Sequence, residues 1–454
     1  MDFEQLYREM IDVVQTGKRH SNYDKTVQDS DYWKSIMTGY GQSELLLKFR
    51  PHESGDQKEQ RVRLTDTITP SVVSQVKNQF KEVKKVDDIT RKIEADDGAG
   101  EISAKINEKI SHFYGNETID NYLHDVLLDY NFFDPNAYLI IEKNESEEVE
   151  PYPVIIPSKY IYNHKYDNGV LQWVLIRKTF TIQVVKENAL GNKDVVTQVL
   201  EDWYLYGENS QIHLKQLPED YTDKDLLDGY EVIKIRKSDS VELKYQILTI
   251  PDTGTLMNPA MRIGYIMDVS TNRETCCSIL EPVRSLFDSL IKRVSEYDLA
   301  MAMHGFIQKF VLAPDCKHEN EHGTCAGSGY IGGQVCEKCQ GTGLDFHLTQ
   351  QDIVVMSLES FEQFSIKLSD MVHYAKVDAA TIQLTKNEIR DKKLEISIAL
   401  FGHDIFDKSQ ITETATAKLL EKGVKNNAFS EYGKHYSKVW KYSVGIIANY
   451  LGYE

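Results

Sequence analysis

Tyr297-Asp-Leu-Ala-Met-Ala-Met-His304 closes a long helical stripe, and Phe310-Val-Leu-Ala-Pro314 follows it with a change of period. Cys316, Cys325 and Cys336-Glu-Lys-Cys339-Gln-Gly341-Thr-Gly343 then place four thiols within twenty-four residues. Before that change, Ile279, Val283, Leu286, Leu290, Val294, Tyr297, Met301 and Ile307 recur at helical spacing, as one buried face of a long helix requires. Pro282 is tolerated in the first turn of such a helix, where its missing N–H has no partner to lose. Phe310–Ala313 and Ile353–Met356 read as strands on either side of the cysteines. A long helix therefore gives way to a compact insertion with too little apolar content to build a core of its own.

Four cysteines at this spacing predict a structural zinc site. Zinc takes four thiolate or imidazole ligands in a tetrahedron, with Zn–S distances of about 2.3 Å. Cys336-x-x-Cys339 puts two sulfurs on one side of a tight turn, and Gly341 and Gly343 permit the positive φ that turns backbone amides toward them. Cys325-Ala-Gly327-Ser-Gly329 repeats the second half of that pattern. Cys316 and Cys325 are spaced more loosely, and His318 and His322 between them are alternate ligands. A closed four-ligand site leaves no position for substrate, so its expected role is to fold the insertion. A disulfide is disfavoured, because Met1-Asp-Phe-Glu-Gln has neither the basic nor the apolar region of a secretory signal. His318-Glu-Asn-Glu-His322 also matches the H-E-x-x-H metallopeptidase motif, but that motif works only on a helix, and here proline and glycine surround it.

The chain has 454 residues and a formal net charge of −18. That size predicts several sub-domains. That charge argues against a surface that grips nucleic acid throughout, though not against one that surrounds DNA and lets it slide. No apolar run approaches the length of a membrane span. Tyrosines number 26, against 16 phenylalanines and 4 tryptophans, which suits partly wet contacts between subunits or the margin of a large core. Cys276 and Cys277 read as packed residues.

The period of the apolar residues divides the chain into a mixed α+β, mainly helical protein. Residues 1–135 read as helices, with Pro70 at one helix start and a break at Asp96-Asp-Gly-Ala-Gly100. Residues 136–260 read as short antiparallel strands, with a turn at Tyr166-Asp-Asn-Gly169 and a solvated acidic loop at Asp220 to Gly229. Residues 261–309 carry the long helix and residues 310–356 the cysteine insertion. Residues 357–411 return to helices, at about Leu358 to Tyr374 and Ala379 to Phe401, with Gly402 as a stop. Residues 412–454 hold a last pair, Thr412 to Lys422 and Ser430 to Tyr450.

Three stretches within this order carry a resemblance. Pro153-Val-Ile-Ile-Pro157-Ser-Lys-Tyr160-Ile-Tyr-Asn163 precedes a hairpin at Asn168-Gly169. Tyr297 to His304 leads into Phe310 to Pro314. Ile396-Ser-Ile-Ala-Leu-Phe-Gly402 is followed by Thr412-Glu-Thr-Ala-Thr-Ala417. Together they resemble the portal proteins of tailed bacteriophages over roughly two thirds of the chain, by order and texture and not by a short motif. The resemblance implies a wing, stem, clip and crown architecture, in which the cysteine insertion is a zinc-stapled clip. It also implies a homo-oligomeric ring, usually of about twelve subunits, at one vertex of the virion capsid, assembled in the bacterial host cytoplasm. Double-stranded DNA would pass through its channel, and the terminase large subunit, a head–tail adaptor and capsid or scaffold protein would dock on it. Enzymatic activity and membrane insertion are not expected of such a protein. Lys376, Lys386, Arg390, Lys392 and Lys393 are candidates to guide phosphates in the channel, weighed against a simple solvated helix face.

The Cys-x-x-Cys-x-Gly-x-Gly run also resembles the cysteine-rich module of J-domain co-chaperones, which implies a zinc-containing, chaperone-like binding protein. This chain has one full repeat, one partial repeat and no His-Pro-Asp. No phosphate-binding Gly-rich loop and no Gly-x-Ser-x-Gly elbow is present.

Overall fold

The computed structural model describes the chain apart from residues 1–2, 43, 45–46, 82–99, 116, 144–150, 188–192, 209, 219–220, 222–230, 237–241, 251–256, 305–308, 314, 346–352, 358–371, 375–378, 403, 407–414 and 452–454. It is a mixed α and β protein in two compact units. The first comprises Met1–Tyr40, Thr69–Arg284 and Ile396–Glu454, and the second Gly41–Ile68 and Ser285–Glu395.

In the first unit, α1 (Phe3–Thr16) and α2 (Tyr23–Thr38) precede α4 (Thr69–Lys81), α5 (Gly100–Ser111) and α6 (Ile119–Phe133); α3 (Gly55–Leu64) belongs to the second unit. Strands β1 (Tyr138–Glu142), β2 (Tyr152–Ile156), β3 (Ile161–Asp167), β4 (Val170–Glu187), β5 (Lys193–Tyr206), β6 (Gln211–Gln216), β7 (Glu231–Arg236), β8 (Glu242–Ile250) and β9 (Ala260–Arg262) follow. They form a six-stranded antiparallel sheet in the order β3-β4-β5-β6-β8-β7 and a three-stranded one in the order β2-β1-β9. Asn168 and Gly169 both take positive φ, 47° and 80°, so the expected hairpin turn has the backbone that matches strand twist.

Strand periodicity explains how the larger sheet is buried on both faces. Trp173 and Leu175 face one way, with Trp203, Leu205, Ile212 and Leu214, and take Leu6, Met10, Val13 and Val14 of α1 against them. Each fully buried side chain of that size contributes about 2 kcal/mol. Val174 and Ile176 face the other way and join Tyr138, Ile140, Ile156 and Ile161. The alternate residues of β1, Leu139 and Ile141, pack with Leu123 and Leu127 of α6 and with Val439, Trp440, Ile446 and Ile447 of α9 (Ala415–Tyr450).

The second unit contains α3, most of α7 (Arg284–His304) and of α8 (Ala379–Phe401), and the strands between them. β10 (Lys309–Ala313) pairs in parallel with β15 (Ile353–Ser357) and antiparallel with β16 (Val372–Tyr374). Two hairpins lie between β10 and β15: β11 (Glu319–Asn320) with β12 (Gly323–Thr324), and β13 (Tyr330–Ile331) with β14 (Gln334–Val335). Arg293 Nε lies 3.0 Å from Glu388 Oε2 and ties α7 to α8.

A buried cation fixes α3. Ser54 and Gln57 form a reciprocal capping box at its start. Arg61, 3% exposed, meets Glu53 through Nε at 2.7 Å and Nη2 at 2.8 Å. It also donates to the Lys48 carbonyl at 2.8 Å and to Ser295 Oγ at 3.1 Å. The Arg61 hydrogen bonds, working against burial, hold the Glu53 carboxyl down at about 2. Removing one partner of such a pair strands the other charge, which costs about 3 to 5 kcal/mol. Arg61→Ala is expected to lower the urea midpoint by that equivalent, and the Glu53→Ala/Arg61→Ala double variant to recover part of it. A single variant within about 1 kcal/mol of the parent would contradict the assignment.

Three expectations are corrected. The stem-like helix starts at Arg284, and Glu281–Val283, including Pro282, is a 3-10 turn before it. The stretch ahead of it is instead pinned to the end of α6: Cys276 N donates to Asn136 Oδ1 at 2.8 Å, Ser278 Oγ to the Phe132 carbonyl at 2.5 Å, and Ile279 N to the Asn131 carbonyl at 3.1 Å. The helix expected over Leu358 to Tyr374 ends in strand, because Val372–Tyr374 pairs with β10; residues 358–371 lie outside the described residues. The last two helices are one, α9, since Gly423, the one glycine between them, costs only about 1 kcal/mol and no proline interrupts the helix. Most of the acidic loop, residues 222–229, lies outside the described residues.

Candidate metal centre

The two hairpins bring Cys316, Cys325, Cys336 and Cys339 together. Each is buried, and their sulfurs all lie within 4.8 Å of one another. Cys316 Sγ is 4.0 Å from Cys336 Sγ, and Cys325 Sγ is 3.7 Å from Cys339 Sγ. A tetrahedron with metal–sulfur legs of about 2.3 Å has edges of about 3.8 Å, so the group has the size a thiolate-bound ion needs. All four cysteines are free thiols. The cluster can chelate a metal ion.

The backbone around the sulfurs repeats. Cys325-Ala-Gly-Ser-Gly329 and Cys339-Gln-Gly-Thr-Gly343 fold alike: φ is 42° at Ala326 and 53° at Gln340, 79° at Gly327 and 87° at Gly341, 81° at Gly329 and 74° at Gly343. Ser328 Oγ donates to the Cys325 carbonyl at 2.5 Å, and Thr342 Oγ1 to the Cys339 carbonyl at 2.7 Å. The loops then cross-bond. Cys336 N donates to the Gly329 carbonyl at 2.9 Å, and Cys316 N to the Gly343 carbonyl at 2.8 Å. Each loop thus closes on the first cysteine of the other, an arrangement with approximate twofold symmetry. Between the loops, Gly332 and Gly333 take φ of 57° and 84° and make the hairpin turn of β13 and β14.

Two glycines make this approach possible. A Cβ at Gly329 would sit 2.5 Å from the Gly341 carbonyl oxygen, and one at Gly343 would strike the Gly327 carbonyl. At Gly327 a Cβ would meet only the Asp315 side chain, at 3.0 Å. Gly343→Ala is expected to weaken metal binding at least tenfold more than Gly327→Ala, since both pay for positive φ but only the first collides with backbone. Competition with a chromophoric chelator measures both, and equal losses would contradict the packing.

Besides the thiols, the only buried side chain in this cluster is Ile331. Burial pushes the Cys316 thiol up to about 12 and raises Cys325. Burial also works against a thiolate at Cys339, but the Gly343 amide, the neighbouring thiols and the Gly341 amide bring it down to about 7. One thiolate is therefore favoured in place, and a bound cation would compensate the others.

The alternate ligands stay out of the cluster. His318 offers its carbonyl to Cys325 N at 2.8 Å, and His322 is exposed at the turn between β11 and β12. Glu319–Asn320 is strand, so the H-E-x-x-H match lacks the helix that would align its histidines.

Four of the five channel candidates lie on α8. Lys376 lies outside the described residues. Lys386, Arg390 and Lys393 follow one another at i, i+4 and i+7 along α8, a single helix face, and Lys392 is off it. Lys392 pairs with Glu395 at 2.6 Å and Arg390 approaches Asp391 at 3.6 Å. Burial lowers the Lys393 ammonium below its usual range.

A cavity of about 760 Å³ in the first unit went unread in the sequence. Its lining comes from Leu6 of α1, the β3–β4 turn, Glu208, residues 257–267 and α9, segments too far apart in the chain for spacing to reveal. Among the described residues, no helix is long and apolar enough to cross a membrane. Comparison with known protein families and with curated proteins finds no match for this chain.

Proposed function

We propose that the chain is the subunit of a phage portal ring, and that its cysteine cluster holds one structural zinc ion. The observation that carries this reading is the second unit. The chain enters it along the 21-residue α7, builds a small mixed sheet and the cysteine module, and leaves along the 23-residue α8. That excursion corresponds to the stem–clip–stem path that the resemblance implies, with the module in the clip. The long α9 and the six-stranded sheet would then belong to wing and crown. Four buried cysteine sulfurs, all within 4.8 Å of one another, favour a soft or borderline ion such as zinc over harder cations.

The role is mechanical. Double-stranded DNA would pass through the channel during packaging and ejection, with terminase and a head–tail adaptor docking at the clip end and capsid or scaffold protein around the wing, in the virion. The net charge of −18 suits a wall that repels the duplex, and Lys386, Arg390 and Lys393 offer sparse contacts to phosphates. Analytical ultracentrifugation of the purified chain tests the assembly: a discrete, closed oligomer of about a dozen copies is expected. A monomer at every concentration, with scaffold added as well as without, would overturn the reading.

The paired Cys-x-Gly-x-Gly loops favour a second reading, a chaperone-like module that holds unfolded chains. It expects suppression of client aggregation by the monomer, which the portal reading does not.

A further inference from the structure

Helix α9 has two working faces over Glu431-Tyr-Gly-Lys434-His435-Tyr-Ser-Lys438. Tyr436, Val439 and Trp440 join the core against α6. Glu431, Lys434, His435, Lys438 and Tyr442 recur at helical spacing and line the cavity of about 760 Å³. Cavities of this size hold small organic ligands.

The polar groups of the lining are specific. Arg262, Lys434 and Lys438 outnumber Glu208 and Glu431 there, in a chain whose net charge is −18. Lys434 and Lys438 are exposed, stand one helical turn apart, and are held in no ion pair among the described residues. Two ammonium groups at that spacing match a doubly charged phosphate monoester better than a carboxylate.

His435 asks for a donor. It is 6% exposed and stacks on Tyr265 with 4.8 Å between ring centroids. The Ile263 amide already donates to the Ala137 carbonyl at 2.9 Å, so the hydrogen bond between His435 and the Ile263 backbone uses the Ile263 carbonyl. Nδ1 therefore carries the proton and donates, and Nε2, buried without a partner, is left as an acceptor. Burial lowers the ring to about 4, which keeps that lone pair free at neutral pH. A ligand N–H is the group that would satisfy it. Met257, Met261 and Met267 also line the cavity, and thioethers favour contact with aromatic rings. The complementary ligand has a planar ring, an N–H on that ring and a phosphate at the other end.

We propose that the cavity binds a nucleoside monophosphate, with its base against the methionines, the amino group of the base donating to His435 Nε2, and its phosphate on Lys434 and Lys438. The site lies wholly within the first unit, so it stands apart from ring assembly and from the cysteine cluster.

Isothermal titration of the full chain with AMP tests the site. Saturable, equimolar binding is expected, with adenosine and inorganic phosphate each weaker by about tenfold or more. Lys434→Ala/Lys438→Ala removes two exposed ammonium groups, and His435→Phe keeps a ring on Tyr265 while removing the acceptor. Each is expected to weaken AMP binding about tenfold with circular dichroism unchanged. If His435→Phe fails to fold, the lysine variant decides alone. Absence of saturable AMP binding, adenosine or phosphate binding as tightly as AMP, or parental affinity in the lysine variant would overturn the proposal. A 5′-phosphorylated oligonucleotide that binds more tightly than AMP would overturn it in favour of a nucleic-acid end.

Discussion

Cys336→Ser is expected to abolish stoichiometric metal binding and to unfold residues 315–345 while the rest of the protein stays folded. The size of the effect follows from what else could hold the module. Its two hairpins have two residue pairs each, and one aliphatic side chain, Ile331, accompanies the four sulfurs in its buried cluster. Pieces this small do not fold on apolar burial alone. Structural zinc in comparable small sites contributes about 10 to 16 kcal/mol, far more than a module of this kind can lose and survive. Limited proteolysis should therefore cut the variant within the module, and a zinc-selective chelator should do the same to the parent chain. The melting transition of the first unit should be unchanged, since all four cysteines belong to the second unit. A Cys336→Ser chain that stays protease-resistant and retains one metal ion per molecule would contradict this account.

Acid is expected to destabilise the first unit by several kcal/mol between about pH 6.5 and pH 4. Burial lowers His20 to about 4, the nearby Glu274 opposing it, and lowers His164 to about 3, with the charge of His20 and Arg262 acting the same way. Burial likewise lowers His435 to about 4. The unfolded chain takes up these protons as the pH falls through about 6.5, and the folded chain does not until it nears 4. Over that window the unfolded state binds more protons, so stability is present above it and is lost as the pH falls. Each histidine contributes on the order of 3 kcal/mol. Asp134 opposes them: burial raises it to about 6, against the hydrogen bonds of Ser158, so it gains its proton first in the folded state. Its share is also on the order of 3 kcal/mol and offsets about one histidine. The urea midpoint should thus fall from pH 7 to pH 4.5, and His164→Phe should flatten the slope. A midpoint that is constant or rises toward acid would contradict the burial of these rings.

The parts of the fold written in strong periodicity were readable in the sequence. α8 occupies the residues its apolar spacing indicates, Ala379–Phe401, and ends at Gly402 with φ of 77°. The cysteine motif located the four thiols that the fold gathers into one buried cluster, because spacing and geometry are tied together there. α2 was not delimited within the helical residues 1–135, because it buries Thr26 and Ser35 beside Trp33 and Ile36 and its inner face does not read as apolar. The start of α7 was misplaced because the apolar stripe continues through residues 275–283, which bond to the end of α6 instead of to one another. The crossed hydrogen bonds of the two cysteine loops were out of reach, since a repeat in sequence does not say that each copy closes on the other. The cavity was unreadable for the same reason as any site assembled from distant segments.

The central claim is that this chain closes into a ring around a channel, and electron microscopy of the purified, assembled protein tests it most directly. Class averages along the particle axis are expected to show a rotationally symmetric ring of about a dozen subunits with a central hole wide enough for a DNA duplex. Particles that are monomers, open filaments or closed oligomers without a channel would contradict it.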